Sequence, residues 1–570
     1  LKTLLSLLLI TSLSLQCYAQ HFELKINGAN NFENKTIDSI PYLKKHKTTK
    51  SLTDEIELFS KKLTSKGFID NQTITNNRIN DSTFIVKFDL KEKINSIHIY
   101  IDKENPILNN IFPNTINNII TIRYEEIESF LNKKINQLEH LGYAFTKLKL
   151  TNIQRKKNTL YADISIKNEK KREINSIVLN YTQSNQSNIF PKGHLKQIKK
   201  KYTGKTFNQE TTTEIYNDFE KFTFVKQSKF PEILFSNDST KIYIYIEKRK
   251  SNTFDGYIGF SNNENKKITF NGYLDINLEN TLHSGEQFSL YWKSDGNKQT
   301  TFKSKIEIPY LFKTPTSLKA ELEIFKQDSI FQNTKTAIAL GYYIKYNSHL
   351  YIGYQSTESS DIQNTNSALI QDYKNYFTTA TFEYKKMTPE NFIFPTKTNI
   401  NITAGLGKRT NTNNTTEDSE ENKQHYANID LINIFYINIK NSFYIRSKNY
   451  YLWSNTYLTN ELYRFGGINS IRGFAENSLQ ANNTNLLITE YRYQPTPNLY
   501  LHTIADYGLY QDKTTSENKK KLNNLIGIGI GLGILTRNGL LQITLANGST
   551  SEDRIKFYNS ILNIQYNVKF

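Results

Sequence analysis

From Phe254 to Phe570 apolar and polar residues change places at every second position, and this period constrains the fold more than any other feature of the chain. In KITFNGYLDINLEN, Ile268, Phe270, Leu274, Ile276 and Leu278 share one face, while Thr269, Asn271, Asp275 and Asn277 share the other. The pattern recurs in TNINITAGLGK, LIGIGIGLGIL and the terminal LNIQYNVKF. Side chains alternate across a strand, so segments of about ten residues with one apolar face describe strands of a transmembrane sheet. Beyond the first twenty residues no stretch offers the roughly eighteen apolar residues of a spanning helix. Such a chain enters a bilayer only as a closed sheet, because an open edge leaves backbone groups unpaired in lipid.

The connections point the same way. Following the alternation yields about sixteen strands, an even number, as single-chain bacterial barrels prefer. One set of connections is short, near Leu282, Lys313, Asn347, Pro495 and Arg537, and the alternate set includes the long polar loops TESSDIQNTNSALIQD, TNTNNTTEDSEEN and QDKTTSENKKK. A soluble β-sandwich is the competing architecture, and it leaves that asymmetry unexplained. The hydrophobic fraction of 37% is low for a membrane protein made of helices, yet a barrel needs apolar residues on one strand face only, and aromatics at 13% suit its two interfacial girdles. The net charge of +18 is spread along a chain rich in Asn, Lys, Ile and Tyr, which reads as compositional bias, and no nucleic-acid partner is expected.

The first twenty residues, LKTLLSLLLITSLSLQCYAQ, carry one Lys, an apolar run from Leu4 to Leu15 and a short polar stretch ending at Ala19. This is the layout of a secretory signal over residues 1–19. Cys17, the only cysteine, is either a small residue three before the cut or the acylated Cys of a lipobox, although Gln16 stands where that motif wants a small residue. After processing no disulfide or thiolate metal site remains.

Residues 20–250 read as one unit repeated three times, over 20–93, 94–172 and 173–250. INSI occurs at Ile94–Ile97 and again at Ile174–Ile177, Gly67-Phe68 and Gly142-Tyr143 end helical segments, and FIVKFDLKEK, LYADISIKNEK and IYIYIEKRK look like one closing strand in successive copies. SLTDEIELFSKKLTSKGF and RYEEIESFLNKKINQLEHLGY read as amphipathic helices with Ser or Thr near the start and acids in the first turn. Each unit is therefore expected to be an α+β module of β-α-α-β-β order, with an edge strand able to accept an extended peptide. The barrel is expected over 254–570.

The most specific stretch is ELYRFGGINSIRGF, a loop after the eleventh strand that runs on towards Asn485 and opens with Gly466-Gly467. Its Arg472-Gly473-Phe474 tip resembles the inward-folded loop of the BamA/TamA superfamily of outer-membrane assembly and translocation proteins. LLITEYRYQP, carrying Glu490, and LHTIADYGLY, carrying Asp506 and Gly508, resemble motifs of the same superfamily. Alternation independently sets Glu490, Asp506 and Gly508 on the lumen face, opposite Tyr491 and Tyr507. The loop arginine and the two inward carboxylates are then available for charge-assisted hydrogen bonds that lock the loop. Taken singly, Arg472 also reads as an ordinary exposed loop arginine, and Glu490 and Asp506 as polar residues lining a lumen. Gly527, Gly529, Gly531 and Gly533 face inward as well, and either clear space for the loop or let the sheet bend. Tyr566, Val568 and Phe570, with Leu562 and Ile564, form an alternating terminal strand that resembles the C-terminal signal by which barrels are recognised for assembly.

The resemblance extends over the whole mature chain as an architecture of signal, POTRA-type modules, barrel and inward loop. Three modules look closest to the TamA branch. Two-partner secretion transporters usually have two modules behind a plug helix, and the strand FELKI begins almost at Gln20, which speaks against that helix. The resemblance implies an outer-membrane location with modules in the periplasm. The partners it implies are unfolded outer-membrane or secreted polypeptides, outer-membrane lipid and, as a further candidate, a periplasm-spanning protein. No HExxH, GxSxG or phosphate loop occurs, so neither an enzyme activity, a metal nor a cofactor is expected. The leading expectation is an assembly or translocation factor; a secretion pore for one dedicated exoprotein is the alternative, and a passive porin is disfavoured because it leaves the modules without a task.

Overall fold

The computed structural model describes residues 21–113, 115, 117–167, 170–182, 189–262, 268–294, 299–364, 367–388, 391, 393–411, 422–514, 521–551 and 555–570. The expected signal segment with Cys17 lies outside the described residues, as does most of TNTNNTTEDSEEN and part of QDKTTSENKKK.

Sixteen antiparallel strands, from Thr253–Asn262 to Ile561–Lys569, close into a barrel. Large apolar residues such as Ile352, Leu406 and Ile564 stand exposed on its outer face. In water this belt would be a liability, and in lipid it is the solvated surface of the fold. At one end the strands are joined by brief connections, among them 346–347, 437–440, 497–498 and 536–538. At the other end 454–482 separates the eleventh strand (Asn441–Trp453) from the twelfth (Asn483–Thr496), which pair directly with each other. The twelfth strand thus begins at Asn483 rather than at Asn485.

The seam between first and last strands differs from the other joints. Among the described residues it pairs Thr253 with Lys569 and Phe254 with Val568, whereas the last two strands pair over eight positions from Gly539↔Val568 to Ala546↔Ile561. The first strand runs ten residues and stays paired with the second strand throughout. Its weak point is its pairing with the terminal strand. That strand turns Leu562, Ile564 and Tyr566 outward, and Phe570, just beyond it, donates its N–H to the Asn252 carbonyl at 3.0 Å.

The chain divides into two compact units, residues 1–173 with 205–211, and residues 174–204 with 212–570. The first unit contains two four-stranded sheets. In one, Phe22–Gly28 runs parallel to Thr83–Asp89 at the centre, flanked by Lys45–His46 and by the exposed edge strand Gln72–Arg78. In the other, Ser96–Tyr100 runs parallel to Thr159–Lys167, with Ile119–Arg123 and Lys147–Lys156 at the edges. Short strands between the helices, Lys45–His46 and Ile119–Arg123, are additions to the β-α-α-β-β order.

The helices of the first unit cover apolar cores. Leu52, Ile56, Phe59 and Leu63 repeat at helical spacing along Thr49–Ser65 and pack with Leu24, Val86 and Phe88. This helix is capped by Thr48, whose side chain accepts the Ser51 N–H at 3.1 Å, and it has no acid in its first turn. The second helix, Ile127–His140, has no side-chain cap and is led in by a 3-10 turn, Tyr124–Glu126. Of the expected Ser or Thr near the start with acids in the first turn, the first helix has the Thr without the acid, and the second has the acid, Glu128, without a side-chain cap. Gly67 and Gly142 end these helices with φ 98° each, a left-handed geometry suited to glycine. Their carbonyls accept the N–H of Ile94 and of Arg172, just before each INSI string or at its start.

The second unit joins the remaining α+β elements to the barrel. The strand Thr240–Lys248 is central, parallel to Ser176–Tyr181 and antiparallel to Val225–Gln227 and Glu232–Phe235. On the helix Lys192–Tyr202, His194 is buried between Phe222 and Phe224 on one side and Tyr310 and Tyr346, from two of the short barrel connections, on the other. Asn280 of a third connection donates to the Ile189 carbonyl at 2.9 Å.

Candidate functional site

The loop 454–482 folds back into the barrel. Tyr463–Phe465 and Leu479–Ala481 zip into a small antiparallel ribbon, and Gly466 and Gly467, with φ 106° and 94°, turn the chain out of it. Phe465, Ile471 and Ala481 are buried with Leu486 and Leu525 of the wall, so the loop carries its own apolar core into the lumen. An excursion of this length stays ordered only if such burial and specific polar contacts offset its conformational entropy.

The polar contacts converge on Arg472. Its Nε donates to Asp506 Oδ2 at 2.8 Å and its Nη2 to Asp506 Oδ1 at 2.6 Å, a two-pronged pair. Its Nη1 pairs with Glu490, Nη2 also reaches the Thr489 carbonyl at 3.1 Å, and its backbone N–H donates to Asp506 Oδ2 at 3.1 Å. The side chains of Arg472 and Asp506 are 4% and 0% exposed, so this is a dry ion pair with nearly every polar direction filled. Glu490 accepts a second guanidinium, that of Arg492, at 2.7 Å. Arg492 in turn lies between the rings of Phe394 and Tyr444, 4.1 and 4.3 Å from their centroids.

The wall opposite the tip is built from glycine. A Cβ on Gly508 would stand 3.0 Å from Ile471 Cδ1, one on Gly527 would strike the Arg472 carbonyl, and one on Gly548 would stand 2.6 Å from the Gly473 carbonyl and 2.8 Å from the Phe474 ring. Gly473 itself has φ 86° and abuts the Asn547 backbone. The four alternating glycines divide in their surroundings: Gly527 faces the loop, Gly529 meets Leu545 and Ala546, Gly531 meets His502 and Gly533 meets Tyr500. Clearing space for the loop thus describes Gly527, and close wall packing describes the other three.

Arg472, Gly473, Phe474, Glu490, Asp506 and Gly508 therefore come together, with Gly466 and Gly467 at the bend above them. Tyr566, Val568 and Phe570 lie on or just after the terminal strand and take no part in this cluster. Sequence reasoning passed over Arg492, although it follows Glu490 by two and shares its face. It also missed Gly548, Lys293, which pairs with Glu476 at 3.2 Å, and a buried pair between Arg409 and Glu461. Such partners are far apart in sequence and carry no motif. Beside the loop lies a cavity of about 650 Å³, lined by strand residues of both charges, among them Lys303, Glu323 and Lys335. The chemistry of the cluster is buried, charge-assisted hydrogen bonding between the loop and the barrel wall.

The family model described as haemolysin secretion/activation protein ShlB/FhaC/HecB matches residues 343–534, a span that contains the loop and both carboxylate strands. No curated protein matches the sequence. Among solved structures, CdiB from Acinetobacter baumannii aligns over 84% of this chain and 90% of its own at 14% identity and TM-score 0.50. CdiB from Escherichia coli aligns over 90% and 98% at 12% identity and TM-score 0.50. BamA from Haemophilus ducreyi lacking POTRA domains 1-3 aligns over 83% and 98% at 14% identity and TM-score 0.48. The two CdiB structures share the fold of this chain, and the family model supports the superfamily that the loop motif resembles. The protein is an outer-membrane β-barrel with N-terminal modules in the periplasm.

Proposed function

We propose that the protein secretes a dedicated partner polypeptide across the outer membrane, with the luminal loop as the moving part of the pore. The observation that carries this reading is the lock itself: a buried arginine held by two carboxylates and seated against glycine walls. A passive porin has no need of so specific a seat. The match of residues 343–534 to a secretion and activation model favours secretion over general assembly. The three modules over 20–93, 94–172 and 173–250, which resemble the TamA branch, are then substrate-capturing units. Gln72–Arg78 and Lys147–Lys156 are sheet edges to which an extended chain can add as a further strand. In this reading Arg472, Gly473, Phe474, Glu490, Asp506 and Gly508 hold the closed state, and the terminal strand with Tyr566, Val568 and Phe570 serves the barrel's own assembly.

A second reading, insertion of other barrels through a lateral opening, is favoured by the seam, where pairing is confined to Thr253 and Phe254 among the described residues. One pair of experiments separates the two. Deleting the gene is expected to remove one exoprotein from the medium and leave the outer-membrane barrels at normal abundance; loss of many barrels with secretion intact contradicts secretion. Phe254 and Val568 are register partners, so a Phe254→Cys, Val568→Cys pair closes the seam by a disulfide in a chain whose only other cysteine is Cys17. Secretion is expected to survive that crosslink, whereas insertion through the seam is not.

A further inference from the structure

The loop has a second buried ion pair, well before the Arg-Gly-Phe tip and on another sector of the wall. Glu461 closes the short turn Thr459–Glu461 at the start of the limb that descends into the lumen. Its carboxylate pairs with Arg409 of the ninth strand (Thr396–Asn411) and accepts from Gln424 Nε2 at 3.0 Å and from the Leu458 N–H at 3.0 Å. The Arg409 and Glu461 side chains are 2% and 1% exposed. Arg409 also donates to Thr456 Oγ1 at 2.7 Å and to Asn411 Oδ1 at 3.1 Å. The neighbouring Asn460 donates to Ser359 Oγ on the seventh strand and to the Gln371 carbonyl, both at 2.8 Å.

The tip therefore sits on the twelfth to fifteenth strands, while the descending limb is clipped to the seventh, ninth and tenth. The cavity of about 650 Å³ is bordered by loop residues between Glu461 and Asn477 and by the second to eleventh strands. Freeing Arg472 alone leaves the limb fastened across it. We infer that Arg409 and Glu461 form the latch of the descending limb, a positioning pair independent of the Arg472 lock, whose release is required for a polypeptide to occupy the lumen. Neither residue touches the tip cluster, and their partners are distinct from those of Arg472, so the two anchors are separable in energy. Breaking a buried pair from one side strands the other charge, so single neutral substitutions are expected to act strongly and a charge exchange to restore function.

This inference rests on the secretion reading for its purpose, and its test does not. Purified full-length protein in planar bilayers reports pore opening without any exoprotein. Glu461→Gln and Arg409→Gln are each expected to raise the frequency of open events about tenfold or more. The exchange Arg409→Glu with Glu461→Arg is expected to return most of the way to the native level. In Glu461→Gln, a cysteine at Ser470 beside the tip should stay shielded from a bulky maleimide, because the Arg472 lock remains shut. Unchanged opening in both single variants overturns the inference, as does exposure of Ser470→Cys in step with opening, which would make both pairs one lock. Should either charge variant fail to fold, Thr456→Val, at the start of the same loop, removes one Arg409 acceptor and is expected to raise opening several-fold, with no change counting against the latch. Failure of the native protein to secrete any polypeptide would sink the proposed function and leave this result standing.

Discussion

Replacing Arg472 by Met keeps the length of the side chain and removes its charge, so it isolates the ion pair from the packing of the tip. In the native protein Asp506 receives three hydrogen bonds from residue 472, two from the guanidinium and one from the backbone, and a fourth from the Thr489 N–H at 3.1 Å. Arg472→Met deletes the charged pair of donors and leaves only the backbone donors to a carboxylate whose side chain is fully buried. Glu490 suffers less, since Arg492 still neutralises it. Stranding a buried charge in this way costs about 3 to 5 kcal/mol. The docking equilibrium of the loop should therefore fall by about two to three and a half powers of ten. Hydrogen exchange of the amides of residues 465–474 in detergent reads this directly as lost protection. The decisive comparison adds Asp506→Asn, which removes the stranded charge and keeps one of the two acceptor oxygens that the Arg472 and Thr489 N–H groups use. Asp506→Asn should destabilise docking in the native protein and improve it in Arg472→Met. An equal cost in both backgrounds would refute the claim that charge pairing seats the tip.

Gly527→Ala places a methyl group against the Arg472 carbonyl while touching no charge, so it should weaken loop protection, whereas Gly529→Ala, packed against wall residues, should leave the tip amides as they were. His194 is held neutral by burial among aromatic rings and, secondarily, by nearby His349, so its imidazole is pushed down to about 3 from the ordinary 6.5. Because the folded value is depressed, the stability it permits is complete above pH 6.5 and is lost as pH falls towards 3, by about 1.4 kcal/mol between pH 7.5 and 5.5. Melting of the full-length protein across this range should show that slope, and His194→Phe should flatten it; an unchanged slope contradicts the buried neutral imidazole.

Much of the barrel was readable because its period is local. Glu490, Asp506 and Gly508 are set on the inner side because they alternate with the outward Tyr491 and Tyr507, and the turn at 346–347 falls between two alternating strands, with a bulge at Tyr343–Lys345 beside it. Features that depend on distant partners were not readable. Glu461 sits in ELYRF beside the recognised motif, yet its role is decided by Arg409, 52 residues earlier and identifiable only by its inward phase with Gly405 and Gly407. Thr48 and Ser51 both precede the apolar repeat, and the local sequence does not choose between them; it is Thr48 that caps the helix, accepting the Ser51 N–H. The depth of His194 follows from barrel connections more than a hundred residues later, which no helical pattern in KGHLKQIKKKY encodes.

The central claim is that a sealed barrel in the outer membrane holds the Arg472 tip inside its lumen. Ser470→Cys tests it in living cells, since Ser470 is buried, its hydroxyl has no partner among the described residues, and the exchange is nearly isosteric. A bulky membrane-impermeant maleimide should label Tyr558→Cys, on an exposed turn between the last two strands, and leave Ser470→Cys unmodified until Arg472 is replaced. Labelling of both cysteines at the same rate in otherwise native protein would put the tip outside the barrel and contradict the account.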